Sequence, residues 1–318
     1  MNNNISGLKS FVSGRRRTHQ KFDVVLDTDT YNEIDDLYAL AYVILSKDVF
    51  NVSAIIAAPF YSPKCLNRVR TTHSPREGME ESYQAIINLL KKMKREDLKR
   101  KVFKGVQSFL PDETHSVDSP GVNEIIRLAK QHTSESPLFI IGIAVLTDIA
   151  SAIIKDPSII DKIVVIWLGG NAIEKNSCSD FNASQDIAAA RVVFRADERL
   201  VQLPCSGVVS DFSVTRADLI KYLQGKNELC SYLLKESLDF LSLKYKADDW
   251  IKPLWDVTAA AWAVSDDFMD SKIIPSPEFQ YNYTYKIDKN RNPITYVYRI
   301  HRNALMNDLF SKLAKAFD

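Results

Sequence analysis

The chain predicts a single α/β domain built on an open, mostly parallel (mixed) sheet with helices on both faces. Three observations carry that prediction. Strand-like and helix-like segments alternate along the chain at α/β spacing. The segments Val52–Ala58, Pro137–Ile143 and Lys162–Leu168 are continuous apolar runs, as strands buried on both faces are. The 318 residues show no internal repeat, low-complexity tract or Pro/Gly-rich linker, and they suffice for one large core.

The elements follow in order. Residues 1–20 are polar, carry the basic run Arg15-Arg16-Arg17, and read as a disordered lead-in to a domain over 21–318. Phe22–Leu26 is the first strand, Asp36–Ser46 the helix after it, and Val52–Ala58 the second strand. Ser74-Pro75-Arg76-Glu77 supplies an N-cap, a proline at the first helical position and a glutamate three residues after the cap. The helix it starts runs to about Met93. Lys101–Lys104 is a short strand and Gly121–His132 a helix. The strand Pro137–Ile143 leads to the helix Thr147–Lys155, and the strand Lys162–Leu168 closes on Gly169-Gly170. Residues 184–194 form a helix, Val201–Pro204 a short strand, and 211–246 further helices. The alanine-rich run Val257–Val264 is a buried helix opened by Asp256. Tyr281–Ile287 and Thr295–Ile300 alternate around Lys289-Asn290-Arg291-Asn292, a hairpin signal. An amphipathic helix over about Ala304–Phe317 closes the chain.

Charge and composition exclude several function classes. A formal net charge of +1 gives no electrostatic case for a nucleic-acid polymer or an acidic membrane as partner. No apolar run reaches the length of a membrane span, and the first residues lack a secretory signal. The cysteines Cys65, Cys178, Cys205 and Cys230 are widely spaced and form no C-x-x-C pair. They read as reduced, mostly buried thiols, which points to a reducing compartment, the cytoplasm.

The most informative stretch is Val24–Leu40. Asp27, Asp29, Asp35 and Asp36 fall within ten residues at the end of an apolar run. Strand alternation points Asp27 and Asp29 to one face, and Asp35 and Asp36 open the following helix. Charge so crowded requires protonation or a bound cation, and a hard cation with oxygen ligands, calcium or magnesium, suits carboxylates. Loops at the carboxyl ends of strands carry the ligand sites of open α/β sheets. Taken singly, the candidates have plain structural uses. Asp256 and Asn182 suit helix N-caps, Asp148 a polar helix start, and Gly169-Gly170 a strand-to-loop turn. The functional case rests on the set. Asp27-Thr28-Asp29 also comes near the D-x-D-x-T nucleophile motif of haloacid-dehalogenase-type phosphatases, with Tyr31 in place of the threonine. That alternative is a magnesium-dependent phosphatase acting through Asp27.

The longer pattern D-T-D-x-x-N-E-I-D-D-x-x-A-L resembles the N-terminal signature of the nucleoside hydrolases, the inosine–uridine type and its relatives. Later segments resemble that family in order: Ile143-Ala144-Val145-Leu146-Thr147-Asp148-Ile149-Ala150, Trp167-Leu168-Gly169-Gly170-Asn171, Asp180-Phe181-Asn182, and Trp255-Asp256 before Ala259-Ala260-Ala261. The resemblance implies a calcium-dependent enzyme that cleaves the N-glycosidic bond of a nucleoside or related N-riboside. It implies that Asp29 is the general base and bridges to the ion. Asp27, Asp36, Asp256 and the backbone carbonyl of Ile143 would complete the metal shell. Asp35 and Asn182 would hold ribose hydroxyls, with Asp180 near the 5′ end. A small-molecule substrate and association into a dimer or tetramer are implied too. A non-catalytic sugar- or nucleoside-binding protein of the same fold is the reading from another class; the presence of Asp29 argues against it.

The chain also departs from the family pattern. Asn32-Glu33 lengthens the first loop by two residues, and either is a candidate to enter the pocket. Trp255 stands where several members carry a histidine, and it suits stacking on a base as well as a core position. Ala58-Pro59-Phe60 replaces a Gly-Asn turn. His73, beside a helix start after the second strand, is a candidate pocket residue.

Overall fold

Side-chain alternation along the first strand sets the layering of the molecule. In Phe22–Thr28 (β1), Val24 and Leu26 enter one apolar layer and Val25 the other. The computed structural model describes residues 7–66, 68–196 and 199–318. After β1 come Phe50–Ala57 (β2), Val102–Lys104 (β3), Leu138–Gly142 (β4), Ile163–Leu168 (β5) and Arg199–Leu203 (β6). Ser213–Thr215 (β7) and Ile251–Pro253 (β8) make a small antiparallel pair. Met269–Pro275 (β9), Glu278–Phe279 (β10), Tyr285–Lys286 (β11) and Pro293–Ile300 (β12) end the series. Among the described residues the main sheet has eight strands in the order β3-β2-β1-β4-β5-β6-β12-β9, parallel throughout except for the antiparallel edge strand β9.

The helices are Leu8–Arg17 (α1), Asp35–Leu45 (α2), Pro75–Lys92 (α3), Pro120–Ala129 (α4), Thr147–Lys155 (α5), Phe181–Gln185 (α6), Ile187–Arg195 (α7), Arg216–Leu223 (α8), Glu228–Lys244 (α9), Val257–Val264 (α10) and Arg302–Ala314 (α11). Tyr38, Trp262 and Leu309 bring α2, α10 and α11 into one apolar layer. Ile125, Ile149 and Val193 bring α4, α5 and α7 into the other. Ser74 caps α3 through its Oγ, which accepts from Glu77 N at 3.1 Å, with Pro75 at the start.

Strand order reverses between β1 and β4, since β2 and β3 lie to one side and β5 and β6 to the other. A crevice opens at the carboxyl ends of strands at such a switch point. Asp27 registers against Gly142, and Ile143 N donates to Asp27 O at 2.9 Å. The residues just past β1 and just past β4 are therefore neighbours.

The mixed sheet with two helical faces is the expected one, with local differences. The lead-in expected to be disordered carries α1, whose Leu8 and Val12 are buried; residues 1–6 of that segment lie outside the described residues. The expected hairpin is not formed. Thr295–Ile300 belongs to β12, which pairs with β9, while Tyr285-Lys286 pairs with Glu278-Phe279. The helix expected over 184–194 is broken at Asp186, whose side chain caps α7 by accepting from Ala189 N at 2.9 Å. Among the described residues no helix is long and apolar enough to cross a membrane.

Candidate functional site

The acidic loop leaves β1 at its carboxyl end. Asn32 N donates to Asp29 O at 2.7 Å and closes the turn. Asp35 and Asp36 then occupy the first turn of α2, where the positive end of the helix dipole favours carboxylates. Thr28 Oγ1 donates to Asp36 Oδ1 at 2.6 Å, tying helix start to strand end. From far along the chain, Asp256 arrives at the start of α10. One carboxylate oxygen from each of Asp35, Asp36 and Asp256 lies within 4.8 Å of the others.

These groups line a cavity of about 280 Å³. Asp29, Asn32, Asp35, Asp36, Ile143, Asp180, Asn182, Trp255 and Asp256 all border it. Of the site residues expected from the sequence, Asp27 and the pocket candidate His73 are not part of the lining; the others meet in one place. Asp27 is buried, and neither of its carboxylate oxygens has a hydrogen-bond partner among the described residues. Burial, then the carboxylates of Asp148 and Asp29, raise its pKa well above the usual range.

Supports behind the lining are specific. Asn182 Nδ2 donates to Leu168 O at 3.1 Å and Ile143 O at 3.3 Å, bridging the ends of β5 and β4. Asp180 caps α6, accepting from Gly170 N at 2.7 Å, Ala183 N at 3.0 Å and Asn182 N at 3.1 Å. Burial still pushes its pKa up to about 6. Trp255 Nε1 donates to Ser210 Oγ at 3.1 Å.

The electrostatics are those of acids forced together. Burial and then the Asp36 carboxylate raise the Asp29 pKa well above its ordinary value. Burial and then Asp35 push Asp36 up to about 7. Asp256 is raised by burial, then by Asp35, Asp36 and Asp29. Asp29 Oδ2 is buried without a hydrogen-bond partner. Such a set of oxygen donors short of positive partners fits a hard divalent cation.

Among the described residues three cations pair with the acidic side chains of this corner, and sequence reasoning found none of them. Lys252 Nζ contacts Glu33 Oε2 at 2.6 Å and Asp35 Oδ1 at 2.8 Å. Burial opposes its charge, but Asp35 and Glu33 outweigh that and raise its pKa. Arg68 donates to Glu33 Oε1 at 3.0 Å and stacks 3.9 Å from the Phe181 ring centroid. Lys244 Nζ lies 3.2 Å from Glu33 Oε1. Burial would raise the Glu33 pKa, yet Lys252, Lys244 and Arg68 hold it at about 2. The only sequence signal for this network was the Asn32-Glu33 insertion. His73 is exposed and outside the cavity lining.

A family model described as inosine-uridine preferring nucleoside hydrolase matches residues 24–291. Among solved structures, a plant nucleoside hydrolase is 18% identical with a TM-score of 0.72, covering 92% of this chain and 99% of its own. The purine-preferring ribonucleoside hydrolase from Gardnerella vaginalis is 16% identical with a TM-score of 0.72, covering 92% and 98%. A type III effector protein, XopQ, solved in complex with adenosine diphosphate ribose, is 14% identical with a TM-score of 0.66, covering 97% and 98%.

Proposed function

This chain belongs to the inosine-uridine preferring nucleoside hydrolase family, and from that premise we propose that it is a calcium-dependent N-ribohydrolase, splitting a nucleoside or related N-riboside into ribose and free base. Family membership makes it a hydrolase of N-glycosyl compounds. One observation carries the finer reading: Asp29, Asp36, Asp256 and Ile143 border a single cavity, and Asp29 keeps an unpaired oxygen there. The three carboxylates and the Ile143 carbonyl are the oxygen donors that would hold the ion. Asp27 lies outside the lining, so we leave it out of that shell. Bound calcium would supply a positive anchor for substrate hydroxyls and would acidify a water.

The residues of the chain account for the remaining chemistry. Asp29 accepts the proton of the attacking water at Oδ2 as the bond from C1′ to the base nitrogen breaks; the bonding pair leaves on that nitrogen, which takes its proton from solvent. Burial and the Asp36 carboxylate raise the Asp29 pKa in the ion-free site, and a bound cation would offset that and keep the carboxylate ionised to accept the proton. Asp35 and Asn182 hold ribose hydroxyls, with Asp180 toward the 5′ side. The surrounding carboxylates oppose the positive charge that develops on the ribosyl ring. Trp255 offers a flat apolar wall for the base and carries no acid for the leaving group. The similar effector protein was solved in complex with adenosine diphosphate ribose, which supports a substrate class wider than simple nucleosides. The free cysteines agree with a reducing compartment such as the cytoplasm, and we expect a dimer or tetramer.

The test is an assay for reducing sugar against a panel of nucleosides and adenosine diphosphate ribose, with calcium and with a chelator. Calcium-dependent ribose release is expected. Turnover that persists after thorough metal removal would overturn the calcium part, and no sugar from any riboside would overturn the activity. The phosphatase alternative needs Asp27 to meet substrate, and its position outside the cavity lining argues against that.

A further inference from the structure

The acids of the cavity do not share one kind of partner. Lys252, on β8, is buried with its side chain 1% exposed, and its ammonium lies between Glu33 and Asp35 at 2.6 and 2.8 Å. The Trp255 ring centroid is 3.9 Å from the same nitrogen. Arg68 and Lys244 add two further cations to Glu33. Among the described residues, no lysine or arginine lies within ion-pair distance of Asp29, Asp36 or Asp256. The backbone of Lys252 is fixed by its pairing with Val214 in the small β7–β8 sheet. One short segment therefore carries Lys252, Trp255 and Asp256 to the cavity together.

We infer that Lys252 is a positioning residue that divides these acids into two sets. Glu33 and Asp35 are held by protein cations as a fixed wall for the sugar. Asp29, Asp36 and Asp256 are left for the divalent ion. The inference rests on the ion-dependent ribohydrolase reading above and adds to it the residue of this chain, Lys252, that keeps Asp35 off the ion. Distance alone would admit Asp35 as a ligand, because its oxygen lies within 4.8 Å of those of Asp36 and Asp256. Charge decides otherwise. An ammonium and a divalent ion on one buried carboxylate repel each other across a few ångströms of weakly screening protein. Asp35 already gives Oδ1 to Lys252. The stack of Lys252 on Trp255 carries the same constraint into the wall that would face the base.

The test is calcium titration of the full chain by calorimetry, run beside riboside kinetics. Asp35→Asn removes one of the two carboxylates that hold the Lys252 charge, so calcium affinity should fall about tenfold, with one ion still bound per chain. Lys252→Met combined with Asp35→Asn removes both charges and should bring affinity back to within about threefold of wild type. KM for the riboside should stay raised in both. Lys252→Met alone should tighten calcium about tenfold; where it fails to fold, the double variant against Asp35→Asn decides the matter. A double variant no tighter than Asp35→Asn, or loss of the ion in Asp35→Asn, makes Asp35 a ligand and overturns the division. Absence of turnover with the expected calcium series removes the ribohydrolase reading and leaves the division standing. A wild-type chain that binds no calcium removes both.

Discussion

The ammonium of Lys252 sits 2.8 Å from the carboxylate of Asp35, 217 residues away in the chain. This contact joins β8 to the first turn of α2 inside a buried corner. Removing one member of a buried pair strands the other's charge, which costs more than the intact pair contributes. Lys252→Ala should lower unfolding free energy by about 3–5 kcal/mol in urea titration. A loss under about 1 kcal/mol would mean that the corner is wetter than its burial indicates.

Glu33 predicts an acid limb of stability. Its pKa is held at about 2, against 4.5 for an ordinary glutamate. In that window the unfolded chain binds more protons, so stability rises with pH. The contribution is complete above pH 4.5 and fades as pH falls toward about 2. It is on the order of 3 kcal/mol. Glu33→Gln should flatten the curve of unfolding free energy across that window, and an unchanged slope would contradict the assignment.

Asp29→Asn removes the proposed base with little change in size. The value of kcat should fall by roughly 10²- to 10⁴-fold, the range for a positioned general base. Circular dichroism should show an intact fold. Full-rate ribose release by this variant would move the base to another residue.

Ion removal should cost stability as well as activity. Asp29, Asp36 and Asp256 are buried together, and burial and mutual repulsion raise their pKa values. A chelator should therefore lower Tm, and calcium at a hundred times Kd should restore about 2.7 kcal/mol. Without the ion, protonation relieves the repulsion, so the chelated protein should gain stability as pH drops through about 7, where Asp36 titrates. A chelator-insensitive Tm would count against an ion in this cavity.

Gly170 sits at φ +71, a backbone conformation that costs a side chain energy, and a Cβ there would collide with the Tyr285 hydroxyl. Its N–H also anchors Asp180 at 2.7 Å. Gly170→Ala should destabilise the protein by about 1–3 kcal/mol and raise KM by loosening Asp180 and Asn182. A Tm within one degree of wild type would refute this.

Much of the architecture was legible because it is local. The strands β2, β4 and β5 announce themselves as apolar runs, and Ser74-Pro75 marks the start of α3. The first helix was missed because Leu8, Phe11 and Val12, at helical spacing, precede three arginines that dominate the segment. The hairpin reading failed for another reason. Period-two alternation in Tyr281–Ile287 and Thr295–Ile300 identifies extended chain but not its partner, and β12 takes β9. The break at Asp186 is a cap inside a helix-forming stretch, and composition alone does not signal it.

By itself the sequence determined an acidic strand end in an α/β frame, followed by a helix whose first turn is acidic, and a late aspartate opening a small-residue helix. Those features depend on neighbours within a few positions, where backbone periodicity and capping act. The tertiary structure alone decided that Asp27 stays out of the cavity lining while Asp29 joins it, and that Lys252 claims Glu33 and Asp35. Strand order and the meeting of distant charges follow from how the whole sheet packs, and a buried ion pair across 217 residues has no local signature.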